Sequence, residues 1–560
     1  MPRPRGRGAQ DPRSHPKQGR LSRGSSLRWL TLPARGDLLA GVAVALVLVP
    51  QSLAYAELAG MPVVNGLYTA AAATLAAGLA GSSPYLQTGP VALTSLLTFG
   101  ALAPLAQAGS AEFIGYAAML ALVVGVVRVL LGALHWGVVA YLMSQPVVAA
   151  FTVAAALLIL TSQIPALVDV EASSDNPFVA ATQALASPQD WNALTILIGL
   201  GTIAVILVGR RLSPLFPGVL IAALIALGLN QTGVVDVTAV GSIPSGFPPL
   251  NLDLPWQGLG SVILPGIVIA LVGFAEAASI SRRYASEDRK QWDPNREFMG
   301  QGFANIGAGL FSGYPAGGSF SRSSLNRLSG ARTRWSGVVT GVAILAFMPA
   351  AGTLSGLPTA ALAGLVIAAV LPLIELRPFI ESWRQSRPQF LVALPTFLAT
   401  LAFAPRVERG VILGVLLSLA VHLWRELRLE VDTWITGDTL HVQPQGVLYF
   451  GSAPSLETQV MALVADNPDI GHLVLHLQRL GRMDLTGALV LRAVLEDMER
   501  SGIEAAVDGV QPQAMRLVTA VLGELSVPTA EATQPSGNST QVPPDPKSPD
   551  KCLYCPDGSS

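Results

Sequence analysis

The chain has 560 residues, 51% of them hydrophobic and 13% charged, with a formal net charge of −1. Soluble domains carry about 25% charged residues, so a wholly soluble protein is excluded and an α-helical polytopic membrane protein, surrounded by lipid bilayer, is indicated. The charges are unevenly placed, so their sum says nothing about partners, and the two cysteines, Cys552 and Cys555, exclude a disulfide scaffold.

Residues 1–35 hold nine Lys/Arg and one acid. No small-residue cleavage site follows a short apolar core, so this segment reads as a basic cytoplasmic arm and not as a signal peptide. A transmembrane region follows at 36–427. A membrane helix needs about 20 apolar residues, fewer where it is broken and buried in protein. Candidate spans fall at 36–57, 62–81, 89–106, 112–133, 138–165, 190–209, 214–230, 260–281, 296–313, 319–329, 335–352, 357–376, 388–404 and 408–425. That is about 14 segments.

Charge placement orients them. With the arm inside, the cytoplasmic loops carry Arg210 and Arg211, Arg282 to Arg296, Arg322 to Arg334, Arg377 to Arg387 and Arg425 to Arg428. The two long outside loops, 166–189 and 231–259, contain no Lys or Arg. This is the positive-inside pattern, with Arg406 and Arg409 as its exception. A multi-pass protein of the cell (inner) membrane is expected, both termini cytoplasmic.

Ala77-Gly78-Leu79, then Pro84, recurs as Ala308-Gly309-Leu310, then Pro315. Each copy precedes a short segment led by a small residue, Gly89 or Gly318. Seven helices per half would insert the halves upside down, as inverted repeats at about 36–230 and 260–425, with a site at their interface. Chance identity of common residues is the alternative.

From 432 to 526 the composition is that of a soluble domain. Strands are expected at 440–442, 446–450, 472–477 and 503–507, and a helix at 489–500. Their alternation means a small α/β domain. Residues 527–560 are rich in Pro, Ser, Thr and Gly and read as a disordered tail, where Cys552 and Cys555 read as inert.

Pro50 falls inside the first span and is followed by Gln51, Ser52 and Tyr55. Proline removes a backbone donor, so a broken helix lining a cavity is expected, or else a packing kink. Gln87-Thr88-Gly89-Pro90-Val91-Ala92 and Gly317-Gly318-Ser319-Phe320-Ser321-Arg322 both look like extended segments entering helices. A helix N-terminus attracts anions, and two facing ones would form an anion site to which Ser319, Ser321 and Arg322 add donors and a cation. The glycines could instead serve close packing while Arg322 snorkels. Glu276 sits in an apolar helix, where a lone carboxyl is costly and usually functional. It is the candidate proton carrier, or else a structural carboxyl paired with a helix or an arginine. Asp293, Asn295 and Glu297 read as a solvated loop or helix caps. In the soluble domain, Asp484 or Thr486 could cap a helix, and Thr486 could accept a phosphate. No zinc set, P-loop, nucleophile triad or Rossmann fingerprint appears in a credible context, so no enzyme, metal or cofactor is expected, and no nucleic-acid partner.

Together these residues resemble the sulfate permease family, also called solute carrier family twenty-six. The carrying motifs are Pro50 to Ala56, Leu58 to Pro62, Gly66-Leu67-Tyr68, Gly89 to Ala92, Glu276, Asn295, Glu297, Ala304-Asn305 and Ser319 to Ser323. Asp484-Leu485-Thr486-Gly487 resembles the family's sulfate transporter and anti-sigma-factor-antagonist (STAS) domain. The resemblance implies two inverted seven-helix repeats and a core moving against a gate. It also implies an anion near Gln51, Tyr55, Val91, Ala92, Ser319, Phe320, Ser321 and Arg322, and a homodimer. The family often carries Ser where Thr486 stands, which weakens a phosphorylation reading. Glu276 is similar to the position in proton-coupled members, whereas sodium-coupled members tend to carry Asp. The function expected is secondary active transport of a small inorganic or organic anion of the sulfate, bicarbonate or dicarboxylate class, by proton-coupled symport. The rivals are an anion channel or exchanger, or a membrane-anchored signalling scaffold.

Overall fold

The computed structural model describes residues 33–523 except 139–143, 172–173, 234–236 and 428. The expected basic arm up to residue 32, the expected disordered tail, and Cys552 and Cys555 lie outside the described residues. The chain divides into two compact units, Met1–Leu419 and Ala420–Ser560.

The first half of the membrane unit runs α1 (Arg35–Leu58), α2 (Val63–Ala80), β1 (Thr88–Gly89), α3 (Ala92–Leu102), α4 (Ala111–Ala133), α5 (Gln145–Ser162), α6 (Ile164–Val168), α7 (Pro177–Ala186), α8 (Ala193–Leu212) and α9 (Gly218–Gln231). The second runs α10 (Leu259–Glu287), α11 (Pro294–Leu310), β2 (Gly317–Gly318), α12 (Phe320–Leu328), α13 (Trp335–Phe347), α14 (Thr359–Val370), α15 (Arg377–Gln385), α16 (Arg387–Ala402) and α17 (Glu408–Glu426). Without the short pieces α6, α7 and α15, fourteen helices remain among the described residues, in the order of the expected spans. Among the described residues, seven helices are long and apolar enough to cross a membrane by themselves. At about 1.5 Å per residue, α3 and α12 reach roughly halfway through a hydrocarbon core of about 30 Å.

Two expectations need correction. Pro50 does not break the first span: α1 is one helix from Arg35 to Leu58 with the proline inside it. Ser52 Oγ donates to Val49 O at 2.7 Å, so its hydroxyl is bonded within the helix. The segment 166–189, expected as an outside loop, is not all loop. It holds α7, started by Pro177 and capped by Asn176, whose side chain accepts from the N–H groups of Phe178 and Val179. Its ten residues are too few to register as a span.

The two halves pack as inverted repeats. The contact of α4 with α11 is matched by α13 with α2, α10 with α4 by α1 with α13, and α5 with α16 by α14 with α8. The duplicated Ala-Gly-Leu segments lie at the heart of this symmetry. Ala77 and Ala308 share one buried cluster with Ala73, Ala304 and Ala316. A Cβ on Gly78 would come 2.6 Å from the backbone nitrogen of Val338 on α13, and one on Gly309 2.6 Å from the carbonyl of Ala118 on α4. Both glycines therefore permit the same close crossing, one in each half.

The second unit is a mixed α/β domain: β3 (Glu430–Thr436), β4 (Thr439–Leu448), α18 (Ala453–Asp466), β5 (His472–His476), β6 (Leu480–Met483), α19 (Leu485–Arg500), β7 (Glu504–Asp508) and α20 (Pro512–Leu522). The strand order is β3-β4-β5-β7, with β6 on β4. Only β3 runs antiparallel to its neighbour. Alternate residues Leu440, Val442, Leu473, Leu475, Ala505 and Val507 are buried in a core shared with Leu491, Val494 and Leu495 of α19. The alternate set places Trp434, His441 and His476 in a stack on the other face of the sheet.

Candidate functional site

The half-helices α3 and α12 are positioned by a two-rung ribbon. β1 pairs antiparallel with β2, Thr88 opposite Gly318 and Gly89 opposite Gly317. The ribbon continues where Ser319 N–H donates to Gln87 O at 3.0 Å and Gln87 N–H to Ser323 Oγ at 2.9 Å. Buried polar side chains hold it. Thr74 Oγ1 donates to Thr88 O at 2.6 Å, Gln301 Nε2 to Thr88 Oγ1 at 2.7 Å, and the Asn305 amide pairs with both backbone groups of Ala316. Glu297 is not solvated: it is buried and accepts the N–H groups of Ser82 and Ser83, fixing the chain that leads into β1. Asp293 caps α11, and Asn295 Oδ1 accepts from Gly137 N–H.

The first turn of a helix carries unpaired N–H groups and a partial positive charge. At α3 the cap residue is Val91, followed by Ala92, both buried, and no side chain caps the helix. At α12 the cap is Ser319, whose Oγ accepts from Arg322 N–H and shares a hydrogen bond with Ser321 Oγ at 3.3 Å. Glu276, mid-way along α10, lies near the Phe320 backbone N–H and near Arg322. Its carboxyl therefore faces the start of α12. The other end of α12 is clamped: Arg327 pairs with Glu287 at 3.0 Å and Asp288 at 2.9 Å and lies over the rings of Tyr85 and Tyr284.

Arg322 is 1% exposed. It donates from Nη1 to Gln51 Oε1 at 3.4 Å, while Nε and Nη2 have no hydrogen-bond partner among the described residues. A buried donor left unpaired costs about 1–3 kcal/mol, more when charged, so the guanidinium is poised to take an acceptor. Beside it lies a cavity of about 660 Å³ lined by Gln51, Arg210, Phe216, Phe320, Ser321 and Arg322, among others. It extends to Pro214 and Pro217 between α8 and α9, and to Leu328 and Ser329 at the end of α12.

Of the residues singled out from the sequence, Gln51, Phe320, Ser321 and Arg322 border this cavity. Tyr55, Val91, Ala92 and Ser319 are buried and do not line it, with Tyr55 near Arg322, Glu276 and Arg210. Asp484 caps α19, accepting from Gly487 N–H at 2.7 Å, and Thr486 is exposed in that helix's first turn. Two residues were missed. Arg210, read only as a loop charge, reaches the cavity and donates to Ala368 O at 3.0 Å. Arg128 is fully buried in α4. Its signal was present in the sequence as a lone cation within an apolar span.

The chain matches the family model of the sulfate permease family over residues 34–396 and that of the STAS domain over 430–530. A probable sulfate transporter of Mycobacterium tuberculosis is 33% identical, the match covering 72% of this chain and 71% of that protein. A sodium-independent sulfate anion transporter of Bos taurus is 28% identical, covering 86% and 85%. Among solved structures, the murine anion transporter Slc26a9 in its inward-facing state superimposes with a TM-score of 0.80 at 20% identity, covering 88% of each chain. The transmembrane domain of the cyanobacterial bicarbonate transporter BicA gives 0.59 at 23% identity, covering 69% of this chain and 96% of that one.

Proposed function

The chain belongs to the sulfate permease family, and from that premise we propose that it is a proton-coupled secondary transporter of a small anion, working by alternating access. One observation carries the reading: the buried Arg322, with two unpaired donors, lies at the start of a half-helix beside a cavity of about 660 Å³. A helix start supplies N–H groups and positive potential without a mobile counter-ion, and Arg322 adds a full charge. The anion binds there, between the starts of α3 and α12, with Gln51, Ser321 and Phe320 around it and Tyr55, Val91, Ala92 and Ser319 buried near it. By the positive-inside pattern, the end of the cavity near Arg210 and Ser329 lies on the cytoplasmic side. The conformation is therefore inward-facing, in a cell membrane with both termini cytoplasmic.

Coupling falls to Glu276. Its carboxyl shares the start of α12 with the place proposed for the anion, so two negative groups compete for one set of donors. Protonation of Glu276 removes that competition. A loaded, protonated carrier then reorients at less electrostatic cost than an anion-loaded one with an ionised Glu276. A sodium-independent relative supports a proton over sodium as the coupling ion. The transporter works as a homodimer, and Asp484 and Thr486 mark the surface through which the soluble domain regulates it.

The test is uptake into proteoliposomes under an imposed pH gradient. Wild type should concentrate sulfate or another small anion above equilibrium. Glu276→Gln should still exchange anion for anion but lose gradient-driven accumulation. Accumulation by the Gln variant driven by the proton gradient alone would make Glu276 structural, and wild-type flux that only equilibrates would make the protein a channel.

A further inference from the structure

Arg128 is a buried charge whose side-chain donors are all satisfied by the backbone. It is 0% exposed, and its three hydrogen bonds all go to backbone carbonyls: Nε to Ala270 at 3.0 Å, Nη2 to Ile269 at 3.2 Å and Nη1 to Ala316 at 3.1 Å. No carboxylate pairs with it among the described residues. Its hydrogen-bonding needs are met, but its charge is not neutralised. A charge buried without a counter-charge costs several kcal/mol, far more than holding α4 to α10 requires. Neutral donors could tie those carbonyls at lower cost, so the charge itself calls for an explanation.

Position supplies one. A Cβ on Gly273 would lie 2.7 Å from Arg128 Nη2 and 3.2 Å from the Thr94 methyl on α3's first turn. The missing side chain on α10 is what admits the guanidinium. Gly317 of the ribbon faces the Gly273 carbonyl, Val91 and Thr94. Across that rung stands Gly89, whose Cβ would lie 3.5 Å from Arg322 Nη2. Arg322 thus lies against one residue of this rung, while Arg128 packs against Gly273 and Thr94, the neighbours of the other. Ala316, which Arg128 holds, leads directly into β2 and the start of α12. Glu276 stands near Arg322, whereas no carboxylate is paired with Arg128 among the described residues, so its positive charge is left uncompensated.

We propose that Arg128 is a specificity-determining residue: without touching the anion, its uncompensated charge sets how strongly the site favours divalent over monovalent anions. This rests on the anion-transport reading above. The argument is Coulombic. Removing a fixed positive charge weakens binding in proportion to the charge on the anion, so the logarithmic loss for a dianion is twice that for a monoanion. Loss of packing or of ribbon geometry alone costs both the same.

The experiment measures binding of sulfate and of nitrate to the purified full-length protein by titration calorimetry at fixed pH and ionic strength. Wild type is compared with Arg128→Gln, which keeps donors and loses the charge, and with Arg128→Lys, which keeps the charge. If the charge is worth about tenfold on nitrate, it is worth about a hundredfold on sulfate. Arg128→Gln should therefore lower the sulfate-to-nitrate ratio about tenfold, and Arg128→Lys should restore most of it. Equal losses for both anions, no losses, or a Lys variant as impaired as the Gln variant would overturn the proposal and leave Arg128 a structural residue. If Arg128→Gln does not fold, Gly273→Ala, which presses on Nη2, must produce a loss in the same charge-dependent ratio, and a charge-independent loss overturns the proposal. Wild type that binds neither anion would instead overturn the anion reading on which it rests.

Discussion

The first half of the membrane unit starts its short helix α3 with Val91, Ala92 and Leu93, whereas the second starts α12 with Phe320, Ser321 and Arg322. Between Asp37 and Glu57 the first helix α1 has no charge, while α10, its counterpart, carries Glu276 near its middle. The backbone plan is duplicated down to paired glycines and a two-rung ribbon, yet the charges set at the half-helix starts, Arg322 and Glu276, belong to one copy. A scaffold built twice needs matched crossings, because both halves must close on the same axis. A binding site needs its charge only once. Duplication therefore preserved Gly78 and Gly309 in like roles, and the chemistry diverged around them.

The strongest way to break this comparison is to reverse the charge in the second half. Arg322→Glu should lower anion affinity about a hundredfold or more, since a buried cation is replaced by a buried anion. Thr94→Val, at the matching turn of α3, should change it less than about threefold. Titration calorimetry on both variants decides, and similar losses in the two would mean that the halves contribute alike.

Next come the glycines, where the halves are expected to behave the same. Gly78→Ala and Gly309→Ala each place a methyl about as close to a facing backbone, and each should destabilise the membrane unit by about 1–3 kcal/mol. Thermal unfolding in detergent measures this. A large loss from one and none from the other would break the structural equivalence.

The smallest effect serves to keep the pH dependence of Glu276 distinct from that of the soluble domain. His441 Nδ1 and His476 Nε2 share a hydrogen bond at 3.1 Å, and His476 Nδ1 meets Asp508 at 3.2 Å. Trp434 stacks on both imidazoles. Partial burial, and then the neighbouring His476, hold His441 below the usual histidine range. The folded domain thus binds protons less readily than the unfolded chain. Its stability is full above about pH 6.5 and falls as the pH drops below that value. Melting of the soluble unit expressed alone should shift slightly downward from pH 7.5 to 5.5, and His441→Phe should remove part of that shift. No shift would leave all pH dependence with the membrane unit.

How much of this was legible beforehand depended on contrast. Glu276, Pro50 and the Ser319 to Arg322 segment stood out because polar groups and proline are costly in an apolar run. Arg128 offered the same contrast and was passed over, because a single arginine in a span can be read as snorkelling. The ribbon was out of reach, since its rungs join residues more than 220 apart in sequence and its strands are two residues long. In the soluble domain β4, β5, β7 and α19 were visible through their buried alternation. β3 was not, because nearly all of it is exposed. The short β6 and the helices α18 and α20 also escaped, the helices being amphipathic without marked caps.

The central claim is that the anion lies at the start of α12, within reach of Arg322. Selenate, a heavier analogue of sulfate, tests it through anomalous scattering from a crystal of the full-length protein. The account predicts one strong selenium peak in the cavity, within hydrogen-bonding distance of the Arg322 guanidinium and the Ser321 hydroxyl, and its loss in Arg322→Glu. A fully occupied peak elsewhere in the membrane unit, with Arg322 still unpaired, would contradict it.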